Sequence, residues 1–184
     1  MPKTIETERL TLRILNASSS AIVLDYYVRN KSFLEEWEPY KPKEFYTLQM
    51  QQRMLDSDIL EMARGNSYRF WIFLKGDTSK TIGCIALNNI VYGSFMSCFM
   101  GYKIDKDYIN NGYMTEAARA VINFAFNTLK LHRVQVSIMP RNVRSLRVAE
   151  KLGLTKEGFS PKYLKINNVW EDHIHMVAIN DNCD

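Results

Sequence analysis

The chain of 184 residues carries 24 Lys+Arg against 20 Asp+Glu, a formal net charge of +4, and 46% hydrophobic residues. That is the size and composition of one globular domain with a sizeable core, so 1–184 is expected to be a single domain; disordered, collagen-like and coiled-coil chains are excluded. No run approaches the roughly 20 apolar residues of a bilayer helix, and Met1-Pro2-Lys3 leads into Glu6, Glu8 and Arg9, where a signal peptide would be apolar, so a cytoplasmic protein with no membrane contact is expected. Cys84, Cys98 and Cys183 are far apart and lack CxxC or Cys/His spacing. They read as incidental thiols, with no metal site.

In chain order, Arg9–Leu15 alternates with period two and reads as a strand, and Ser18 to Ser20 offer N-caps for a helix through Ile22, Tyr26 and Tyr27. A second helix follows Pro42, with Leu48, Leu55, Ile59 and Met62 at near-heptad spacing and Gly65-Asn66 as its stop. Tyr68–Leu74 and Thr81–Leu87 flank Gly76-Asp77-Thr78-Ser79 as a hairpin, and Ser97–Ile104 is a further strand. Met114, Ala117, Ala118, Val121, Ile122, Ala125, Phe126 and Leu129 form the strongest helical stripe, followed by a strand through Val134, Val136 and Ile138 that stops at Pro140. A short helix with Asn142 as N-cap and Gly153 as stop precedes a closing hairpin, Phe159–Ile166 and Val169–Ile179 about the turn Asn167-Asn168. The order β-α-α-β-β-β-α-β-α-β-β is an α/β (α+β) arrangement, a mixed sheet with helices on its faces.

Chemistry concentrates where the strand ending at Ile104 runs into the helix beginning near Met114. Polar residues and Gly112 gather there at a helix N-terminus, whose free N–H groups and partial positive charge favour an anion. Arg144, Arg147 and Lys151 recur at i, i+3, i+7 on the next helix, either a solvated face or a phosphate site. The mild surplus of charge suits an anionic co-substrate, while the absence of an RNP-like aromatic pair or dense basic run argues against direct nucleic-acid binding.

These residues carry a family resemblance. Thr7-Glu8-Arg9-Leu10, Leu34-Glu35-Glu36-Trp37-Glu38-Pro39, Gly93-Ser94-Phe95, Met100-Gly101-Tyr102, Gly112 with Glu116-Ala117, Leu131-His132-Arg133-Val134, Asn142-Val143-Arg144-Ser145, Glu150-Lys151-Leu152-Gly153 and Trp170-Glu171-Asp172-His173 resemble the GNAT-fold acetyltransferases. Within them the chain is similar to the ribosomal-protein alanine N-acetyltransferases of the RimJ/RimL type, especially those acting on small-subunit protein S5. The resemblance implies a mixed, mostly antiparallel sheet of about seven strands flanked by about four helices. It also implies acetyl-CoA as co-substrate and no metal.

By the same resemblance, the pantetheine arm lies along the splayed strand at Phe99, Met100, Gly101, Tyr102, Lys103 and Ile104. The pyrophosphate then sits in the loop of Ile109, Asn110, Asn111, Gly112, Tyr113, Met114 and Thr115. Asn142 and Ser145 fall near the thioester, and Arg147 and Lys151 near the 3′-phosphate. Ser145 is the expected proton donor to the thiolate, or else a plain helix-start hydroxyl, and a backbone N–H at Gly101 or Tyr102 is expected to steady the oxyanion. Trp37 and Tyr40 border the acceptor cleft in such folds, though Trp37 equally reads as a core anchor. The chain departs from the broader family at Ile109 and Met114 in the loop, at Ala149 where many relatives place a tyrosine, and at Phe99 and Met100 where many carry a glutamate base.

The acceptor implied is a protein N-terminus, an S5-like Ala or Ser, with a monomer or homodimer as the assembly. A small amine (aminoglycoside, polyamine or amino acid) is the alternative, and a catalytically silent CoA-binding regulator a third. An α-amino group, with pKa about 7.7–8.0 against about 10.4 for lysine, reaches its neutral form near pH 7 at roughly 3.5 kcal/mol less cost. Its base is left open among Glu38, Glu157, Asp172 and His173. His173 and His175 are expected on opposite sides of their strand, and so not as a metal pair.

Overall fold

Buried Leu10 and Leu12 alternate with half-exposed Thr11 and Arg13, and the same alternation sorts the residues of every central strand onto two apolar faces. The computed structural model describes residues 4–181. Its strands are β1 (Thr4–Glu6), β2 (Leu10–Arg13), β3 (Tyr68–Leu74), β4 (Thr81–Val91), β5 (Ser97–Ile104), β6 (Arg133–Ile138), β7 (Thr155–Ile166) and β8 (Val169–Ile179). The α-helices are α1 (Ser20–Arg29), α2 (Lys31–Leu34), α3 (Leu48–Ala63), α4 (Tyr113–Asn127) and α5 (Val143–Lys151). One sheet takes the order β1-β2-β3-β4-β5-β6-β8-β7, antiparallel except for β5 beside β6.

The described residues thus hold eight strands and five α-helices, one more of each than expected. The extra strand, β1, is three residues long and has no periodicity to read; only pairing with β2 makes it a strand. The extra helix, α2, is a single turn after Asn30, whose buried side chain bonds back to Tyr26 O at 3.0 Å. Two starts also differ. Residues 17–19 form a 3-10 turn capped by Asn16, not by a serine, and the turn after Pro42 is likewise 3-10, so that α3 starts later, under the Thr47 cap. Cys183 lies outside the described residues.

One core, with Phe70, Ile85, Met100, Val121 and Val136, lies between the sheet and α4 and α5. The other, with Val23, Tyr26, Tyr27, Leu55, Trp71 and Cys84, lies beneath α1 and α3 on the opposite face. Between them the sheet opens. The parallel pairing of β5 with β6 covers only Ser97–Phe99, yet β5 remains paired with β4 through Ile104, and β6 with β8 through Ile138. Among the described residues, Met100–Ile104 has no strand on its β6 side.

The end of β5 is anchored by Asp105, which is fully buried. Its carboxylate accepts from Arg29 Nε at 2.7 Å and from the Asp107 N–H at 3.0 Å, and Asn30 Oδ1 accepts from the Lys106 N–H at 3.0 Å. Burial pushes its pKa up, but these bonds outweigh it and hold the carboxyl below the usual range. A depressed carboxyl stabilises the fold above its ordinary value of about 3.9 and loses that contribution as pH falls through the folded value. Asp105→Asn should therefore lower unfolding free energy by about 2 kcal/mol at pH 7. In chemical denaturation the gap to the unmodified chain should close below about pH 4.

Candidate active site

Beyond β5 the chain makes a 3-10 turn at 106–108 and then passes through Asn110 (φ 63°) and Gly112 (φ 78°), both left-handed, into α4. Gly112 occupies the N-cap position and brings no side chain, so the first N–H groups of α4 are left without a side-chain cap. Arg9 holds this loop from outside. Its Nη1 donates to Asn111 O at 3.0 Å, its guanidinium lies 4.6 Å over the Tyr113 ring, and its Nε donates to Glu116 Oε2 at 2.7 Å. Glu116 Oε1 accepts from the Arg9 N–H at 2.9 Å and from Thr7 Oγ1 at 2.6 Å. Burial pushes the Glu116 carboxyl up, but these donors prevail and hold it below its ordinary range.

The facing bank is α5. Asn142 caps it by accepting from the Ser145 N–H at 3.1 Å, as the sequence predicts. A cavity of about 550 Å³ runs from Gly112, Arg144, Arg147 and Lys151, past Met100–Ile104, to Trp37, Glu38, Arg69, Cys84 and His173. Midway along it, Ser145 Oγ donates to Tyr102 Oη at 2.9 Å, and Tyr102 donates to Ser145 O at 3.1 Å. Burial pushes the Tyr102 phenol up to about 12, with the Ser145 bond opposing. It is a proton donor, not an anion, at neutral pH.

The far end of the cavity holds paired charges. Glu38 lies between Lys103 and Lys41, and Lys103 Nζ also donates to Tyr27 Oη at 3.3 Å. Burial, reinforced by the Lys103 charge, lowers Lys41 to about 7. Arg69 Nε sits 3.0 Å from Asp58 Oδ2. Arg141 ties the roof together: it lies 4.9 Å over the Trp37 ring and reaches Glu36 and Glu171, each at 2.9 Å. The Asn167 N–H, in the β7–β8 turn, donates to Glu38 O at 3.0 Å.

Most of the residues nominated from sequence line this one cavity: Met100 to Ile104, Ile109, Asn110, Gly112 to Thr115, Asn142, Ser145, Arg147, Lys151 and Trp37. Three do not. Phe99 is the last β5 residue still paired to β6, Asn111 turns its amide back to Ile109 O at 3.0 Å, and Tyr40 is 60% exposed beside a smaller hollow with Lys31 and Tyr46. Tyr40 is thus beside the cleft, not in its lining. The expectation that His173 and His175 face apart is also wrong: both rings pack on Tyr163, at 5.6 and 4.8 Å, because residues two apart on a strand share a face. Arg69, Cys84, Ala86 and Asn88 escaped the sequence reading. The alternation of the last three along β4 was the available signal.

The profile described as an acetyltransferase (GNAT) domain matches residues 9–155. This chain belongs to the GNAT acetyltransferase family. The Bacillus subtilis protein named "Probable N-acetyltransferase YjcK" is 35% identical over 176 residues, 96% of this chain and 97% of that one. The Escherichia coli [Ribosomal protein uS5]-alanine N-acetyltransferase is 33% identical over 170 residues, 92% of this chain and 87% of that enzyme. The crystal structure of the Vibrio fischeri ribosomal-protein-S5-alanine acetyltransferase superposes with a TM-score of 0.93 at 31% identity, covering 98% of each chain. GNAT enzymes take their acetyl group from acetyl-CoA.

The departures from the GNAT pattern have structural reasons. Ala149 is fully buried in the core under α5, where a tyrosine would not fit, and the phenol reaching the cavity comes from Tyr102 on the sheet. Met114 is buried in the same core, which takes up its bulk. If the α4 loop is the anion cradle of a GNAT enzyme, its order depends on the Arg9 clamp. Arg9→Ala should then raise the Kd for acetyl-CoA about tenfold by calorimetry, roughly 1.4 kcal/mol, with a smaller change in kcat at saturation.

Proposed function

We propose that this chain acetylates the N-terminal α-amino group of a protein, with an Ala- or Ser-starting ribosomal protein such as uS5 as acceptor. The observation that carries this reading is the charge balance of the acceptor end. Glu38 is the one carboxylate among the cavity-lining residues, and two lysines already hold it. A polyamine or aminoglycoside needs unpaired anions to replace water around its several ammonium groups, and the lining offers none. A single neutral amine on an extended peptide needs only width and backbone contact. The likeness to the two S5-alanine acetyltransferases over nearly the whole chain supports the same acceptor class. A ribosomal acceptor also places the activity in the cytoplasm, and among the described residues no helix is long and apolar enough to cross a membrane.

In this mechanism the unpaired edge of Met100–Ile104 receives the pantetheine arm of acetyl-CoA as an added strand would be received. The α4 N-terminus, from Ile109 to Thr115, cradles the pyrophosphate, with Arg147 and Lys151 toward the 3′-phosphate. The peptide amine enters beneath Trp37 and attacks the acetyl carbon directly. A backbone N–H at Gly101 or Tyr102 donates to the carbonyl oxygen as negative charge builds on it. The Ser145 hydroxyl, which donates to the Tyr102 phenol 2.9 Å away in the free enzyme, turns its hydrogen to the departing sulfur.

Two measurements test this. A peptide beginning with Ala should gain one acetyl mass and release CoA, the same peptide with a blocked α-amine should not react, and spermidine should show no turnover above background. Tyr102→Phe and Ser145→Ala should each lower kcat about tenfold on the free-amine peptide. The double variant should be little worse than either, since the two hydroxyls act as a unit.

A further inference from the structure

We infer that His173 is the general base of this enzyme, its Nε2 taking the proton that the acceptor amine loses. The inference deepens the α-amine reading and rests on it. Four side chains were candidates for the role, and their surroundings separate them. Glu157 is bound by Arg133, with Nη1 at 2.7 Å, and Asp172 accepts from the Lys162 N–H at 2.8 Å; neither lines the cavity. Glu38 does line it, but a carboxylate held by the Lys103 ammonium, with Lys41 on its other side, is a poor proton acceptor. His173 remains.

Three features of His173 fit the task. The residue is 3% exposed and lines the cavity that also holds Gly101, Tyr102 and Ser145. Its Nδ1 lies 3.0 Å from Glu171 O, an oxygen that can only accept, so the proton sits on Nδ1 and the Nε2 lone pair is free. Nε2 has no partner among the described residues and is not sealed in the core, which leaves it open to the cavity. The orientation is built in. Strand β7 breaks register between Ser160 and Leu164, with Lys162 at φ 48°, and the bulge lays Tyr163 against the His173 ring at 5.6 Å.

The charged and titratable groups around His173 are His175, Glu171 and Asp172 on β8, Tyr163 on β7, Arg141 through Glu171, and Glu38 and Lys103 at the same end of the cavity. Burial lowers its pKa most and His175 adds to this; the Glu171 carbonyl and the two carboxylates oppose. The imidazole is therefore neutral at pH 7, ready to accept. As the N–C bond forms, the amine becomes strongly acidic and passes a proton to Nε2, directly or through one water. The C–S bond breaks, the sulfur takes a proton from the Ser145 hydroxyl, and solvent removes the proton from His173 and restores the one on Ser145. The products are the amide and free CoA thiol, with protons balanced.

The test uses the full chain, acetyl-CoA and the Ala peptide. His173→Gln should lower kcat about 100-fold with the Kd for acetyl-CoA unchanged, and should abolish an acid limb of kcat that lies below the ordinary histidine value of about 6.5. His173→Ala should regain activity in proportion to added imidazole. A kcat within about threefold of the original together with a retained acid limb overturns the assignment. So does an imidazole response no larger than that of the unmodified enzyme. If neither variant folds, the unmodified enzyme decides: an acid limb below about 6.5 supports His173, and the absence of any acid limb over the whole pH range in which the enzyme stays folded overturns it. An unmodified enzyme inactive on the peptide overturns the α-amine reading instead. The base is then tested with the same variants on the amine it does acetylate, or on its hydrolysis of acetyl-CoA.

Discussion

The parting of β5 from β6 after three paired residues is the constraint on which the rest of this molecule depends. A ladder edge buried between two layers of helix would ordinarily be closed by a neighbouring strand, because unpaired N–H and C=O groups away from water are costly. Here the edge from Met100 to Ile104 faces a cavity, and beyond Gln135 β6 is paired only on its other side, with β8. The gap connects the two faces of the sheet. Tyr102 and the α5 helix meet on one face, while Lys103 and Cys84 stand with α1 and α3 on the other.

Those two ends have different electrostatics, and the difference follows from which elements border them. The α4 and α5 end combines uncapped helix N–H groups with Arg147 and Lys151, neither matched by a carboxylate among the cavity-lining residues, while Arg144 lies 5.4 Å over the Phe33 ring. The other end places each cation beside a partner: Arg69 with Asp58, Lys103 and Lys41 with Glu38. One end suits a polyanion and the other a neutral amine, as acetyl transfer from CoA requires.

Rigid anchorage of both banks comes from charged groups far apart in the chain. Thr7 and Arg9 hold Glu116, Arg29 holds Asp105, and Arg141 holds Glu36 and Glu171. Each clamp joins a loop or turn that borders the cavity to an element of the scaffold. The loops can therefore keep irregular conformations, such as the left-handed Asn110 and Gly112, without drifting.

The sequence by itself determined the features that arise from neighbours in the chain. The stripe of α4, the Asn142 cap, the Gly153 stop and the Asn167-Asn168 turn all follow from spacings of a few residues, and all stand where the pattern put them. Motif residues such as Thr7-Glu8-Arg9 and Glu116 were visible as well, though not that they bind each other. Only the tertiary structure decided which distant residues meet: Tyr102 with Ser145, Glu38 with Lys103, and His173 with the cavity. The strand β1 and the placement of Tyr40 outside the cavity belong to the same class. The physical reason is that helix and turn propensities act within one or two turns of chain, whereas pairing across a sheet is set by register and burial among residues a hundred positions apart.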